Sequence, residues 1–375
     1  MGGDHSKSAE FIIMLCGIKY NHAVYQDAKY MEYWEANKNE IDIFHEISSI
    51  PFQKGSDTRE TGVPFSVWGS LIMFSGNTEL LKKVIQNKKP NIFKDSCYNG
   101  SNAIETLIAH KDCHAKLTLD WLKILTEVGR SQISPDEKKK NPQKFINTYC
   151  RGAEKHGSKT YLQMAAKFHS NDKDLFSYLI DSEFYGSDLV AFRDDEGNTI
   201  LHTLVVDDKF EGLLKLFLSS GKIGDITSKK LLSVDGNSEV VKNVWLNKMG
   251  QTPLMLACRQ SAVAIVKELI SADVGGSVTD KASSDSPTAL HYAAACKYSW
   301  DHEKGKSAQM LEAMLAMPGA NDLVNSPAVF PAESIGKYRG GDDVEGDGKF
   351  IPLALAKLRS NTQAINVLTT NGAKE

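Results

Sequence analysis

GQTPLMLACRQSAVAIVKELISA, residues 250–272, is the stretch from which the rest of the chain is read. Thr252 can cap a helix that starts at Pro253, because a proline in the first turn has no amide to leave unpaired and its fixed φ suits a helix. Leu254, Ala257 and Cys258 then fall three to four residues apart, and Ile265, Val266, Leu269 and Ile270 repeat that spacing further on. The pattern predicts two short helices lying back to back. Two helices of about ten residues bury too little apolar surface to be stable alone, so copies must stack against them.

Copies are present on both sides. Thr288-Ala289-Leu290-His291-Tyr292-Ala293-Ala294 is a close match, and Gly197-Asn198-Thr199-Ile200-Leu201-His202 keeps the glycine, the cap and a histidine. Thr160-Tyr161-Leu162-Gln163-Met164-Ala165-Ala166 and Ile351-Pro352-Leu353-Ala354-Leu355-Ala356 are weaker, and Val63-Pro64-Phe65 and Asn102-Ala103-Ile104-Glu105 weaker still. The cap positions 63, 102, 160, 199, 252, 288 and 351 differ by 39, 58, 39, 53, 36 and 63. Thr-Pro-Leu-x-x-Ala followed by Ile-Val-x-x-Leu-Ile resembles one ankyrin repeat, whose period is about 33 residues. The resemblance implies an all-α ankyrin-repeat solenoid of about seven irregular helix-turn-helix repeats, over 61–375, behind an N-terminal helical cap over 1–60. The excess in every gap reads as insertion in loops, tolerated because loop-closure entropy rises slowly with length. The resemblance also implies that His202 and His291 hydrogen-bond between neighbouring turns and are structural.

The composition is that of a water-soluble chain. Of 375 residues 41% are hydrophobic and 24% charged, and the net charge of −3 calls for neither nucleic acid nor an anionic membrane as partner. The six cysteines, at 16, 97, 113, 150, 258 and 296, include no Cys-x-x-Cys pair. Cys258 and Cys296 fall at small-residue helix positions where a free thiol packs well, so a reducing, cytoplasmic compartment is expected. No run of about 18 apolar residues marks a transmembrane helix, and Phe11 to Gly17 lacks the flanks of a signal peptide. Met1-Gly2-Gly3-Asp4-His5-Ser6 fits the pattern for N-myristoylation, which makes Gly2 a candidate lipid anchor.

Along the chain, apolar residues from Phe11 to Ile50 predict two or three capping helices. Leu80, Leu81, Val84 and Ile85 read as an outer helix capped by Thr78 or Asn77; Leu119, Leu122, Ile124 and Leu125 form the next. Asp174 to Ile180 and Leu213 to Leu218 supply two more. Arg130 to His156 reads as an exposed loop. Insertions are expected at Gly221 to Asn247, with Val240, Val241 and Val244 as strand residues, at Tyr298 to Lys306 and at Asn325 to Lys349. The final helix should stop at Gly372.

Three places could carry chemistry. His110, Cys113 and His114 would share one helix side as zinc ligands, but a fourth ligand is missing. Asp343-Val344-Glu345-Gly346-Asp347-Gly348 opens like a calcium loop, yet Ala354 stands where a bidentate glutamate is required. Cys16 with His22 or His45 could pair nucleophile and base, which keeps an enzyme with a catalytic N-terminal segment, or insertion, as the competing reading. The sequence has no glycine-rich phosphate loop and implies no cofactor. The reading it favours is a non-enzymatic scaffold that binds a protein partner on the concave face. By register that face carries Lys248, Met249, Gln251, Arg259 and Gln260 in the fifth unit, Asp195, Glu196, Asn198, Val206 and Asp207 in the fourth, and Lys167 and Phe168 in the third. The uneven spacing resembles ankyrin effectors that intracellular bacteria such as Legionella deliver into the host cytoplasm.

Overall fold

In the computed structural model the described residues are 6–21, 27–49, 60–98, 100–109, 118–134, 136–140, 145, 159–182, 192–223, 245–296, 304–330 and 348–374. They form two compact units, Met1–Leu189 and Val190–Glu375. Both are mainly helical, and the strands among the described residues make two two-stranded antiparallel sheets.

The first unit opens with α1 (Ser6–Asn21) and α2 (Asp27–Asn37). Phe11, Ile12, Leu15 and Trp34 are buried on these helices, and the Phe11 and Tyr33 rings stack with centroids 5.6 Å apart. The chain then departs from the expected helices. β1 (Glu46–Ser49) pairs with β2 (Glu60–Ser66), Ile47 opposite Phe65. The boundary expected at residue 60 therefore falls inside a hydrogen-bonded ladder, and the N-terminal segment is part of the first unit.

β2 also moves the first cap. Val63 and Pro64 lie on the strand, and the helix start expected at Val63 is displaced to Ser66, whose Oγ accepts from the Gly69 amide at 2.9 Å and donates to the Cys97 carbonyl at 2.9 Å. Val63 has no oxygen to cap with; Ser66 has one. From there α3 (Val67–Ser70) runs into a π-helical turn, Leu71–Ser75. Its partner α4 (Thr78–Lys88) is capped by Asn77 on the Leu80 amide. A second pair comes next, α5 (Ala103–Ala109) and α6 (Thr118–Ser131), then a short α7 (Glu137–Lys140) within the stretch expected to be loop. The third pair is α8 (Tyr161–Phe168) and α9 (Lys173–Asp181). α5 packs between the π turn and α8, and α6 packs against α5 and α9.

The second unit repeats the arrangement with four pairs among its described residues. These are α10 (Ile200–Leu204) with α11 (Glu211–Ser219), α12 (Pro253–Arg259) with α13 (Val263–Ala272), α14 (Ala289–Ala294) with α15 (Lys304–Leu315), and α16 (Pro352–Leu358) with α17 (Thr362–Thr370). Inner helices α10, α12, α14 and α16 stack on one another, as do outer helices α11, α13, α15 and α17. Leu201, Leu254, Leu290 and Leu353 form a buried row through the inner stack. Two of the expected insertions carry regular structure at their ends. α15 begins at Lys304, and β3 (Ala328–Phe330) pairs with β4 (Gly348–Phe350), Val329 opposite Lys349. The strand residues expected at Val240, Val241 and Val244 lie outside the described residues. α17 ends as expected: Gly372 takes φ +87°, its amide donates to Thr369 at 3.1 Å, and that of Ala373 to Leu368 at 3.0 Å.

Burial of Leu254 and Leu290 between consecutive pairs makes each a test of the stacking. Replacement of either by alanine should cost about 2 to 5 kcal/mol through lost transfer energy and a cavity. Hydrogen exchange should then quicken mainly in the flanking helix pairs, since coupling in a stacked array passes between neighbours. Equal acceleration from Phe11 to Ala373 would contradict that coupling.

Candidate functional site

The inner helices α8, α10, α12 and α14 begin in buried surroundings, so their first amides need partners that water cannot supply. A shared device meets the need. Thr160, Thr199, Thr252 and Thr288 all hold extended backbone just before their helices. The residue three positions on reaches back to each threonine amide: Gln163 Oε1 at 2.9 Å, His202 Nδ1 at 3.1 Å, Met255 Sδ at 3.4 Å and His291 Nδ1 at 3.2 Å. Where that residue is histidine it does more. Nδ1 accepts from the threonine amide, which leaves the ring proton on Nε2. His202 Nε2 donates to the Gln251 carbonyl at 3.2 Å, and His291 Nε2 to the Ser326 carbonyl at 3.0 Å. Burial pushes both imidazoles down, to about 4.

These bridges hold the turns that precede the inner helices. Asp194 Oδ1 accepts from the Glu196 and Asn198 amides at 3.0 and 2.8 Å, and Asn247 Oδ1 from the Met249 and Gln251 amides at 3.0 and 2.9 Å. Gly197 and Gly250 close the turns at φ +77° and +71°. The two turns lie against each other. The Lys248 amide donates to the Glu196 carbonyl at 3.0 Å, Asn247 Nδ2 donates to Asn198 Oδ1 at 2.9 Å, and a Cβ on Gly197 would stand 2.9 Å from the Lys248 nitrogen. Glycine is needed there for closeness as well as for φ.

This geometry sorts the residues named from the sequence. Lys248 and Met249 stand at the turn tip, Met249 with 71% of its surface exposed. Glu196 is exposed and Asp195 partly so, while Asn198 is tied to Asn247 and, through Nδ2, to Glu196 at 2.8 Å. Val206, 39% exposed, and Asp207 come after the end of α10; Arg259, partly exposed, and Gln260, exposed, close α12. An amide hydrogen bond from Lys209 holds the Asp207 carboxyl below its usual range, and the Lys209 ammonium lies 3.0 Å away. Lys167 and Phe168 belong to the first unit, with the Lys167 ammonium 5.3 Å from the Phe168 ring centroid.

Gln251 differs from the expectation. Only 4% of it is exposed, and its Nε2 donates to the Tyr292 hydroxyl at 3.0 Å, so its side chain joins two helix pairs instead of facing a partner. Sequence reading passed over Asp194 and Asn247, although an Asp or Asn three residues before a turn glycine is a readable signal. It also passed over Arg193, a buried side chain whose Nη1 donates to the Leu246 carbonyl at 2.6 Å.

His110, Cys113, His114, His22 and residues 343–347 lie outside the described residues, as does Gly2, and the Cys16 side chain is likewise outside them. Among the described residues no group of three or more His, Cys, Asp or Glu side chains could hold a metal, and no helix is long and apolar enough to cross a membrane. Cys97, Cys258 and Cys296 are buried free thiols, and burial pushes the Cys258 thiol well up, away from the reactive thiolate.

The histidine bridges give the second unit an acid response with a definite sign. Above pH 6.5 both rings are neutral whether the chain is folded or not. Between 6.5 and about 4 the unfolded chain takes up protons that the folded one refuses, so stability falls with pH, by about 1.4 kcal/mol per pH unit for each histidine. Urea midpoints measured from pH 7 to 5 should show this loss. His202→Gln, which copies Gln163, should remove about half of it; an unchanged slope would contradict the neutral bridges.

Residues 224–304 match the family described as ankyrin repeats (3 copies). Among solved structures, the chain is similar to an ankyrin repeat domain from Acinetobacter baumannii AYE, at 18% identity over 57% of this chain and 98% of that chain. The TM-score is 0.25, too low for that likeness to carry weight. No curated protein matches the chain.

Proposed function

Because this chain carries ankyrin repeats, modules that generally bind proteins, we propose that it is a non-enzymatic scaffold that holds a protein partner on its turn tips and inner-helix ends. The observation that carries the reading is Met249, a large apolar side chain 71% exposed at the tip of a turn that Asn247 clamps from inside. A flexible thioether presented from a rigid backbone suits contact with another apolar surface. Lys248, Asp195, Glu196 and Asn198 surround it along the same two turns; Arg259, Gln260, Val206 and Asp207 extend the surface along the ends of α12 and α10. An arginine beside apolar groups is a common composition of a binding hot spot. Lys167 and Phe168 would serve a separate contact on the first unit.

The buried free thiols of Cys97, Cys258 and Cys296 support a reducing, cytoplasmic setting. The uneven cap spacing supports the narrower reading of an effector acting on host proteins, for which recovery of host-cell proteins with this chain as bait is the test.

Met249→Glu, and separately Arg259→Ala with Gln260→Ala, should leave thermal melting nearly unchanged, within about 0.5 kcal/mol for substitutions at the surface. Affinity for a partner captured by the wild type should fall by at least about tenfold, from loss of about 2 kcal/mol at a central contact. Normal melting together with full affinity in both variants would reject this surface.

A further inference from the structure

We propose that Ser286 is a phosphorylation site for a proline-directed protein kinase, and that its modification unlocks the third turn of the second unit. The first two turns are clamped from within by Asp194 and Asn247, each accepting two amides, and closed by a glycine. The third, ahead of Thr288, has neither device. Ser286 occupies the glycine position and Pro287 comes directly after it, so the second amide of the clamp does not exist. What closes this turn is a pair of hydroxyls: Ser286 Oγ accepts from the Ser283 amide at 3.1 Å and lies 2.8 Å from Ser283 Oγ, while the Ser286 amide donates to the Ser283 carbonyl at 3.2 Å.

The site is reachable and can accept the charge. Residues 281–285 are exposed and Ser286 partly so. Lys281 donates to the Ser284 carbonyl at 3.3 Å, and Lys349 lies 3.2 Å from the Asp285 carboxylate, which places two ammonium groups on the turn. Of the other Ser-Pro and Thr-Pro steps, at 134, 252 and 326, Thr252 is buried as a helix cap, Ser326 is partly exposed and Ser134 exposed, so the mapping must tell Ser286 from the last two.

In the transfer, Ser286 Oγ attacks the γ-phosphorus of ATP bound to the kinase. The new Oγ–P bond forms as the bond from that phosphorus to the β,γ-bridging oxygen breaks, ADP leaves with the electron pair, and the hydroxyl proton passes to the kinase's base. The product carries close to two negative charges and no hydroxyl proton. Whichever hydroxyl donated in the Ser283–Ser286 pair, the Ser286 side has no proton left to give, and its oxygens have Lys281 and Lys349 to turn to. The third turn adjoins the second, where a Cβ on Gly250 would meet that of Ala282 at 2.6 Å. Its release therefore changes the neighbourhood of Met249, and to that extent the consequence rests on the interaction surface proposed above.

The full-length protein is incubated with a purified proline-directed serine/threonine kinase and magnesium ATP, and phosphate is mapped by mass spectrometry. The expected product carries one phosphoryl group on Ser286, absent from Ser286→Ala and Pro287→Ala. Ser283→Ala, which removes one hydroxyl of the pair and keeps the Ser-Pro step, should be modified several-fold faster. Amide exchange at residues 281–286 should quicken in the product, with α12 and α14 unchanged. Phosphate only on Ser134 or Ser326, or modification of a synthetic 281–290 peptide but not of the folded chain, would overturn the site. Unchanged exchange across the turn would overturn the unlocking. Because these readouts are masses and exchange rates, loss of partner binding in Met249→Glu with no phosphate on Ser286 would reject this site and leave the surface standing.

Discussion

A helix that starts inside a protein begins with amides that have lost water and have no helical carbonyl ahead of them. In this chain the problem recurs at α8, α10, α12 and α14, and much of the local design answers it. Extended backbone at the cap turns a side-chain oxygen toward the first turn; the residue three places on turns back. Thr160 and Gln163 serve that end of their helix, while Ser66 caps α3 and also donates to the Cys97 carbonyl. His202 and His291, having a second nitrogen, also carry the connection into the next turn. The stacking of helix pairs thus depends on a capping solution whose far side is free to bond a neighbour, and the turns that expose Met249 and Lys248 are held in place from below by it.

The parts of the fold legible in the sequence are those where capping and packing are specified within a few residues. Thr252-Pro253-Leu254 announces a helix start, and Leu254, Ala257 and Cys258 announce its buried side. Gly372 announces a stop. Legibility fails where a distant segment decides. Ser66 displaces Val63 as cap because β2 pairs with β1 across the intervening residues, and because Gly69 sits so near the Cys97 carbonyl that a Cβ would stand 2.1 Å from it. Neither contact leaves a mark in the local pattern. The π-helical turn after α3 has no sequence signature of its own.

The candidate surface divides in the same way. Tip positions such as Lys248 and Met249 follow from register alone, since the residues between a clamp and its glycine must point outward. Gln251 is one step beyond that glycine, and its side chain is polar, so register assigns it to the surface. Its actual place is set by Tyr292, forty-one residues on, whose hydroxyl accepts its amide. Burial of a polar side chain is cheap when such a partner exists and prohibitive when it does not. Reading it from sequence would require knowing which tyrosine of the next pair faces back.

That same contact makes the joints of the second unit chemically unlike. The first and last inner junctions are closed by imidazoles, while the middle one is closed by the Gln251 amide on a tyrosine hydroxyl, with Met255 at the position that is histidine on either side. Amide, thioether and phenol are indifferent to mild acid. A chain carried into an acidic vesicle would feel its outer seams weaken first, leaving α12 to α15 as a four-helix block with both ends loosened. The order in which such a protein comes apart is thus written into one side-chain position, repeated along the chain and varied in the middle.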